Sequence, residues 1–203
     1  MLATLTGMGL SAAAGLNAYI PFLIVALLAR FTDAVSLPAQ YGWIESWWAI
    51  GIASGLLLLE VVFDKVPVVD HINDAVGTFV RPATGGLIFA ATQAAEDYEQ
   101  SSSFLQQNPW VGVVLGIVVA GVVHTGKAVA RPLVNGSTGG LGAPVVSAAE
   151  DTASVGLSLA AVFFPVVVLL VLVLLLWGLW LLWSSTRRRR RERDRALSEA
   201  GYR

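Results

Sequence analysis

Two stretches of the chain join an arginine-proline step to a threonine and two glycines: Arg81-Pro82 with Thr84, Gly85 and Gly86, and Arg131-Pro132 with Thr138, Gly139 and Gly140. A guanidinium is a planar fork of donors that matches a carboxylate or a phosphate, and Lys65 and Lys127 stand upstream as compact positive charges. Proline fixes its own backbone and is expected to end the preceding helix. The threonine then caps the next one, leaving free N–H groups and the positive end of a helix dipole, and the glycines let a ligand approach that backbone. The chemistry this predicts is recognition of an anionic solute or a lipid headgroup at two related turns. The same residues also allow an internal arrangement. Asp64, Glu96, Asp97, Glu150 and Asp151 can pair with the bases and pin helices together, and paired glycines permit close helix packing with no ligand.

A second group, Asp64, Asp70, His71 and Asp74, lies in DKVPVVDHIND. Asp70 and Asp74 share a helix face at i, i+4, and Pro67 suits a helix start. With Glu60 they offer oxygen ligands for a divalent cation, or a setting in which His71 acts as a general base in an intramembrane hydrolase. No standard metal spacing is completed, because His124 is the only other histidine, so a solvated, capped helix is the expectation and no metal is assigned. There is no phosphate-binding loop, dinucleotide fingerprint or nucleophile elbow. With no cysteine there is no thiol chemistry either. The expectation is a protein that is not an enzyme and needs no cofactor.

The elements that must carry these residues are set by composition. Of 203 residues 56% are hydrophobic and 13% charged, which fits a chain whose solvent is largely lipid. Val166 to Trp183 holds eighteen apolar positions without a charge, enough to cross a hydrocarbon core of about 30 Å at about 1.5 Å per residue. Gly7 to Ala29 reads as a span kinked at Asn17 and Pro21, where freed carbonyls near Tyr19 can line a polar cavity or an amide can bridge helices. Trp48 to Phe63 and Trp110 to Val123 complete four spans. The segments 83 to 95 and 138 to 149 are apolar but about 20 Å long as helices, so they are short crossings or re-entrant half-helices.

Charge bears on orientation. Residues 184 to 203 carry eight bases and three acids, leaving five bases and eleven acids in residues 1 to 183. Arg187 to Arg191 directly follow Trp177, Trp180 and Trp183, so the positive-inside rule places this basic tail in the cytoplasm. The basic linkers around Lys65 to Arg81 and Lys127 to Arg131 favour six short, tilted crossings, whereas the length of the two short segments favours four full ones. The expectation is an all-α polytopic bundle over residues 1–183, in contact with membrane lipid, binding no nucleic acid and able to form a homo-oligomer.

Residues 84 to 97 and 138 to 151 match at eight of fourteen positions without a gap. Trp48 stands 17 residues before Lys65, as Trp110 does before Lys127. This defines an internal duplication with units 48–97 and 110–151, and transporters often build a midplane site from such repeats.

Three stretches carry a resemblance to a known family: GLNAYIPFL at 15 to 23, EVVFDKVPVVDHINDAVGTFVRP at 60 to 82, and HTGKAVARP at 124 to 132 with STGGLGAPVVSAAED at 137 to 151. They resemble the bacterial membrane proteins catalogued as domain of unknown function number 4126. The resemblance implies a multi-span protein of the bacterial inner membrane and assigns no catalytic residue. The functional expectation is a small transporter, lipid-headgroup translocase or channel for anionic material, with a non-catalytic membrane scaffold as the alternative.

Overall fold

Helices immersed in lipid gain nothing from expelling water, so they associate where small side chains let their backbones approach. The first helix, α1 (Leu2–Leu16, LATLTGMGLSAAAGL), is made almost wholly of such residues and is buried along its length. The computed structural model describes the backbone of residues 2–64, 67–95, 103–138, 142–174, 177–178, 180–181 and 184, and the side chains of all of these but 67–74, 103, 106, 133, 135 and 137. Contacts divide the chain into Met1–Leu169 and Leu170–Arg203. In the first unit α2 (Tyr19–Phe31) is followed by a short 3-10 helix, Ala39–Glu45, then α3 (Trp47–Phe63), α4 (Pro67–Ala95), α5 (Ser103–Gln107), α6 (Pro109–Thr138) and α7 (Ala143–Phe163). Among the described residues there is helix and no strand. Beyond Phe164 the chain is helical again over Pro165–Leu174. In the second unit Trp177 and Trp180 are exposed.

α1 is enclosed by α4, α6 and α7. A Cβ added at Gly15 would lie 2.5 Å from the Ala120 carbonyl oxygen, and one at Gly85 would lie 2.5 Å from Ala120 Cβ and 2.9 Å from the Gly116 carbonyl oxygen. The contacts also give direction. Along α1, Gly7 faces Phe89, Ser11 donates to the Gly85 carbonyl at 2.9 Å, and Asn17 donates to Asp151 at 2.9 Å. Ser154 donates to the Ala13 carbonyl at 3.0 Å. α1 therefore runs antiparallel to both α4 and α7.

The chain turns back at Asn17. Pro21 has no N–H to bond the Asn17 carbonyl, so α1 cannot continue into α2. Instead the Asn17 side-chain oxygen accepts from the N–H groups of Tyr19 at 3.0 Å and Ile20 at 3.2 Å, capping α2 from one residue outside it. α2 then climbs to the start of α3. Arg30 lies 4.2 Å from the Trp47 ring centroid and donates to the Glu45 carbonyl, and Phe31 packs edge-on to Trp47. Leu23, Ala26, Ile44, Ile50, Ala53 and Ala91 form one buried apolar cluster along this path. α1 and α2 are thus two arms of a hairpin that opens at the tryptophan end of the bundle.

This corrects the reading of Gly7 to Ala29 as a kinked span. At about 1.5 Å per residue the two arms are only about 22 and 20 Å long. The segments 83 to 95 and 138 to 149 also differ from expectation: the first is the second half of the 29-residue α4, and the described part of the second opens the 21-residue α7. Pro109–Pro132 and Ala143–Phe163 are long and apolar enough to cross a membrane, and Ala39–Glu45 with Trp47–Phe63, bent by 51°, adds a third candidate. The two copies of the repeat break at different places. In the first the helix boundary precedes Arg81-Pro82, whereas in the second it follows Arg131-Pro132.

Candidate functional site

Helical spacing gathers the ionisable residues onto facing stripes. On α6, His124, Lys127 and Arg131 follow at intervals of three and four and so share one face. Glu60 on α3 and Asp64 at its C-cap are four apart, on α4 Thr78 and Arg81 are three apart, and on α7 Ser147, Glu150, Asp151 and Ser154 keep the same period. These stripes meet just below the hairpin tip. Glu60, Asp64, Arg81, His124, Lys127 and Arg131 are all buried, Arg81 to 1% exposure.

The layer is held by ion pairs and hydrogen bonds. Arg81 donates to Glu60 at 2.8 Å. Arg131 donates to Asp64 at 3.0 Å and to Glu150 at 2.6 Å. Lys127 lies 3.0 Å from Glu150 and 3.9 Å from Asp64, and it also donates to the Leu16 carbonyl at 3.0 Å. That last contact places a cation on the negative end of the α1 dipole, where the final carbonyls have no helical partner. Ser147 donates to Asp64 at 3.3 Å. The histidine tautomer follows from donor chemistry. Arg81 NH1 lies 2.8 Å from His124 Nδ1, and a guanidinium can only donate, so Nδ1 accepts and the ring proton sits on Nε2, 3.1 Å from the Thr78 hydroxyl. His124 is thereby neutral.

Among the described residues the layer contains three cations, Arg81, Lys127 and Arg131, and four carboxylates, Glu60, Asp64, Glu150 and Asp151. The one ionisable oxygen there that is buried without a hydrogen-bond partner is Glu60 Oε2. No group of three histidine, aspartate or glutamate side chains able to hold a metal ion occurs among the described residues.

The sequence-predicted residues are distributed as follows. Arg81, Lys127, Arg131, Asp64 and Glu150 come together, and Asp151 joins them through Asn17. The Arg-Pro steps are not turns. Pro82 and Pro132 lie inside continuous α4 and α6, because unwinding a helix among other helices would leave several backbone groups unsatisfied, whereas a proline forfeits one bond. Thr84 is consequently mid-helix and caps nothing. Gly85 and Gly86 are filled by α6: a Cβ on Gly86 would lie 2.8 Å from Ile117 and 3.0 Å from the Val113 carbonyl oxygen, so these glycines serve helix crossing and leave no room for a ligand. Thr138 does not cap the next helix as expected: it is the last residue of α6, its hydroxyl donating to the Val134 carbonyl at 2.8 Å and accepting from the Gly142 N–H at 3.0 Å, and α7 follows its N-cap Gly142 with no side-chain cap. Lys65, Gly139, Gly140, Glu96 and Asp97 lie outside the described residues, as do the side chains of Asp70, His71 and Asp74.

Sequence reasoning missed His124, Thr78, Ser147 and Gly77. The signal for His124 was its place on the Lys127 and Arg131 stripe. Gly77 matters because the Arg81 side chain folds back over it; a Cβ there would lie 3.0 Å from Arg81 Cζ.

Outside this layer the bundle is apolar. Ile52, Leu58, Leu59 and Val62 on α3 and Val114, Val118, Val122 and Val129 on α6 are exposed. A charged interior inside an apolar exterior inverts the arrangement of a water-soluble domain and is compatible with a multi-pass membrane protein. The family follows from the sequence match: the family model described as Domain of unknown function (DUF4126) covers residues 4–185, and the chain belongs to that family. No curated protein and no solved structure matches it.

Proposed function

We propose that the protein is a small carrier or channel of the bacterial inner membrane whose translocation site is the charged layer at the hairpin tip, and that its solute is a small cation. The observation that carries this is a hairpin turning inside a largely buried layer in which, among the described residues, four carboxylates meet three cations. Ionisable groups in a bilayer are costly and cluster where solutes pass, and broken helices whose ends face such groups recur at the sites of transporters.

Depth supports the same reading. With Trp47 and Trp110 at one interface, Glu60 lies about 20 Å below it and His124 about 21 Å, with Arg131 about 32 Å below, counting about 1.5 Å per helical residue. The layer then runs from the far half of a hydrocarbon core about 30 Å thick to its far edge, where Arg131 stands, and the hairpin reaches it without crossing. The arginine tail orients the C-terminus to the cytoplasm by the positive-inside rule. The anionic solute or headgroup expected from the sequence requires positive charge to spare. Arg81 and Arg131 spend theirs on Glu60, Asp64 and Glu150.

The test is flux in sealed liposomes with an imposed potential, comparing sodium, potassium and protons with chloride and phosphate. Cation movement abolished by Lys127→Met, which strips the hairpin tip of its contact, supports the proposal; movement of anions alone sinks it. A second reading, a scaffold without transport, is favoured by the engagement of the layer's three described cations with carboxylates. It predicts no flux of any solute from correctly folded protein.

A further inference from the structure

We propose that the cation taken up by the layer is the proton and that Glu60 Oε2 is where it binds. This rests on the reading of the layer as a cation site and names its solute. Three observations converge on Glu60. Its carboxylate is 5% exposed, with Oε1 receiving the Arg81 donor while Oε2 is buried with no hydrogen-bond partner. The other carboxylates have no such oxygen: Glu150 takes Arg131 and Lys127, Asp64 takes Arg131 and Ser147, and Asp151, which takes Asn17, is partly exposed. An anionic oxygen left dry costs several times more than a neutral one, so a proton arriving at Oε2 relieves the largest unmet cost in the layer.

A metal cation fits the place poorly. It needs several oxygen ligands, no group of three histidine, aspartate or glutamate side chains able to hold one occurs among the described residues, and the Arg81 guanidinium sits 2.8 Å from the other oxygen. The groups facing Glu60 are Arg81 on α4, His124 beyond it and Lys127 on α6, Tyr19 on α2, and Asp64 on its own helix. On uptake the carboxylate and one proton become a neutral carboxyl, and Oε1 still accepts from Arg81. What is lost is the ion pair. The Glu60–Arg81 pair is the polar tie between α3 and α4, two helices that touch at few places, so protonation loosens α3 from α4 while Asp64 still holds the end of α3 to Arg131 and Ser147.

The experiment is an infrared difference titration of the full-length protein in lipid, following the carbonyl band of a neutral carboxyl as the pH is lowered. The expected result is a reversible band that is lost in Glu60→Gln and kept in Asp151→Asn. Persistence of the band in Glu60→Gln overturns the assignment. So does a sodium-dependent rise in melting temperature that Glu60→Gln removes. Should Glu60→Gln fail to fold, Glu60→Asp shortens the side chain by one methylene and is expected to move the band midpoint; an unmoved midpoint also overturns it. A Glu60 band without proton flux in liposomes would sink the transport reading and leave this site standing, whereas flux without the band would sink the site alone.

Discussion

Replacing Arg131 by methionine tests whether the layer is a mutually dependent set of charges. The guanidinium is 6% exposed and reaches Glu150 at 2.6 Å and Asp64 at 3.0 Å. Methionine keeps most of the length and removes the charge, leaving two buried carboxylates to share Lys127, which is already 3.0 Å from one and 3.9 Å from the other. Removing one partner of a buried pair costs about 3–5 kcal/mol, most of it the penalty on the charge left behind. Arg131→Met is therefore expected to lose stability in that range. Glu150→Gln alone is expected to cost about 1–3 kcal/mol, because the amide can still accept from Lys127 but returns less to it. The double variant deletes one orphaned charge with its cause, so its loss should fall short of the sum by about 1–3 kcal/mol. Equilibrium unfolding in mixed micelles titrated with a denaturing detergent, read by helical circular dichroism, supplies all four free energies. A loss below about 1 kcal/mol for Arg131→Met, or strict additivity of the two changes, would show that these charges are solvated and independent, and the argument from burial would fail.

Other outcomes follow from particular contacts. Gly116→Ala drives a methyl into the Gly85 carbonyl and to 2.8 Å from Phe89 Cβ and is expected to cost about 1–3 kcal/mol. Gly51→Ala, with open space around it, should instead gain about 0.5–1 kcal/mol of helix propensity; the same unfolding assay reads both, and equal effects would refute the packing assignment. Asn17→Ala removes the cap on α2 and the Asp151 partner together. It should cost about 1–2 kcal/mol for the cap alone and speed hydrogen exchange at the Tyr19 and Ile20 amides, with unchanged exchange counting against the hairpin turn. Nitrogen-15 spectra of labelled His124 should show Nε2 protonated and Nδ1 bare; a proton on Nδ1 would contradict the Arg81 bond.

Composition and local spacing were enough to determine that this chain is helical, apolar outside and rich in small residues along α1. They also offered an internal pairing of the bases with Asp64, Glu96, Asp97, Glu150 or Asp151 beside the anion site, since charges in so apolar a chain are costly to leave unpaired, but did not decide between the two. Periodicity could have added His124, which stands on the same face of α6. What spacing cannot carry is which helix meets which. A proline reads as a break wherever it occurs, yet Pro82 and Pro132 are absorbed within α4 and α6, while Asn17 and Pro21 turn the chain around. The difference lies in the neighbours: at Arg81 and Arg131 the surrounding helices make an unwound backbone expensive, and at Asn17 a side chain can satisfy the freed amides. The balance of charge in the layer was likewise hidden from the sequence. It depends on residues drawn from α3, α4, α6, α7 and the hairpin tip, and only packing brings those distances within reach of a hydrogen bond.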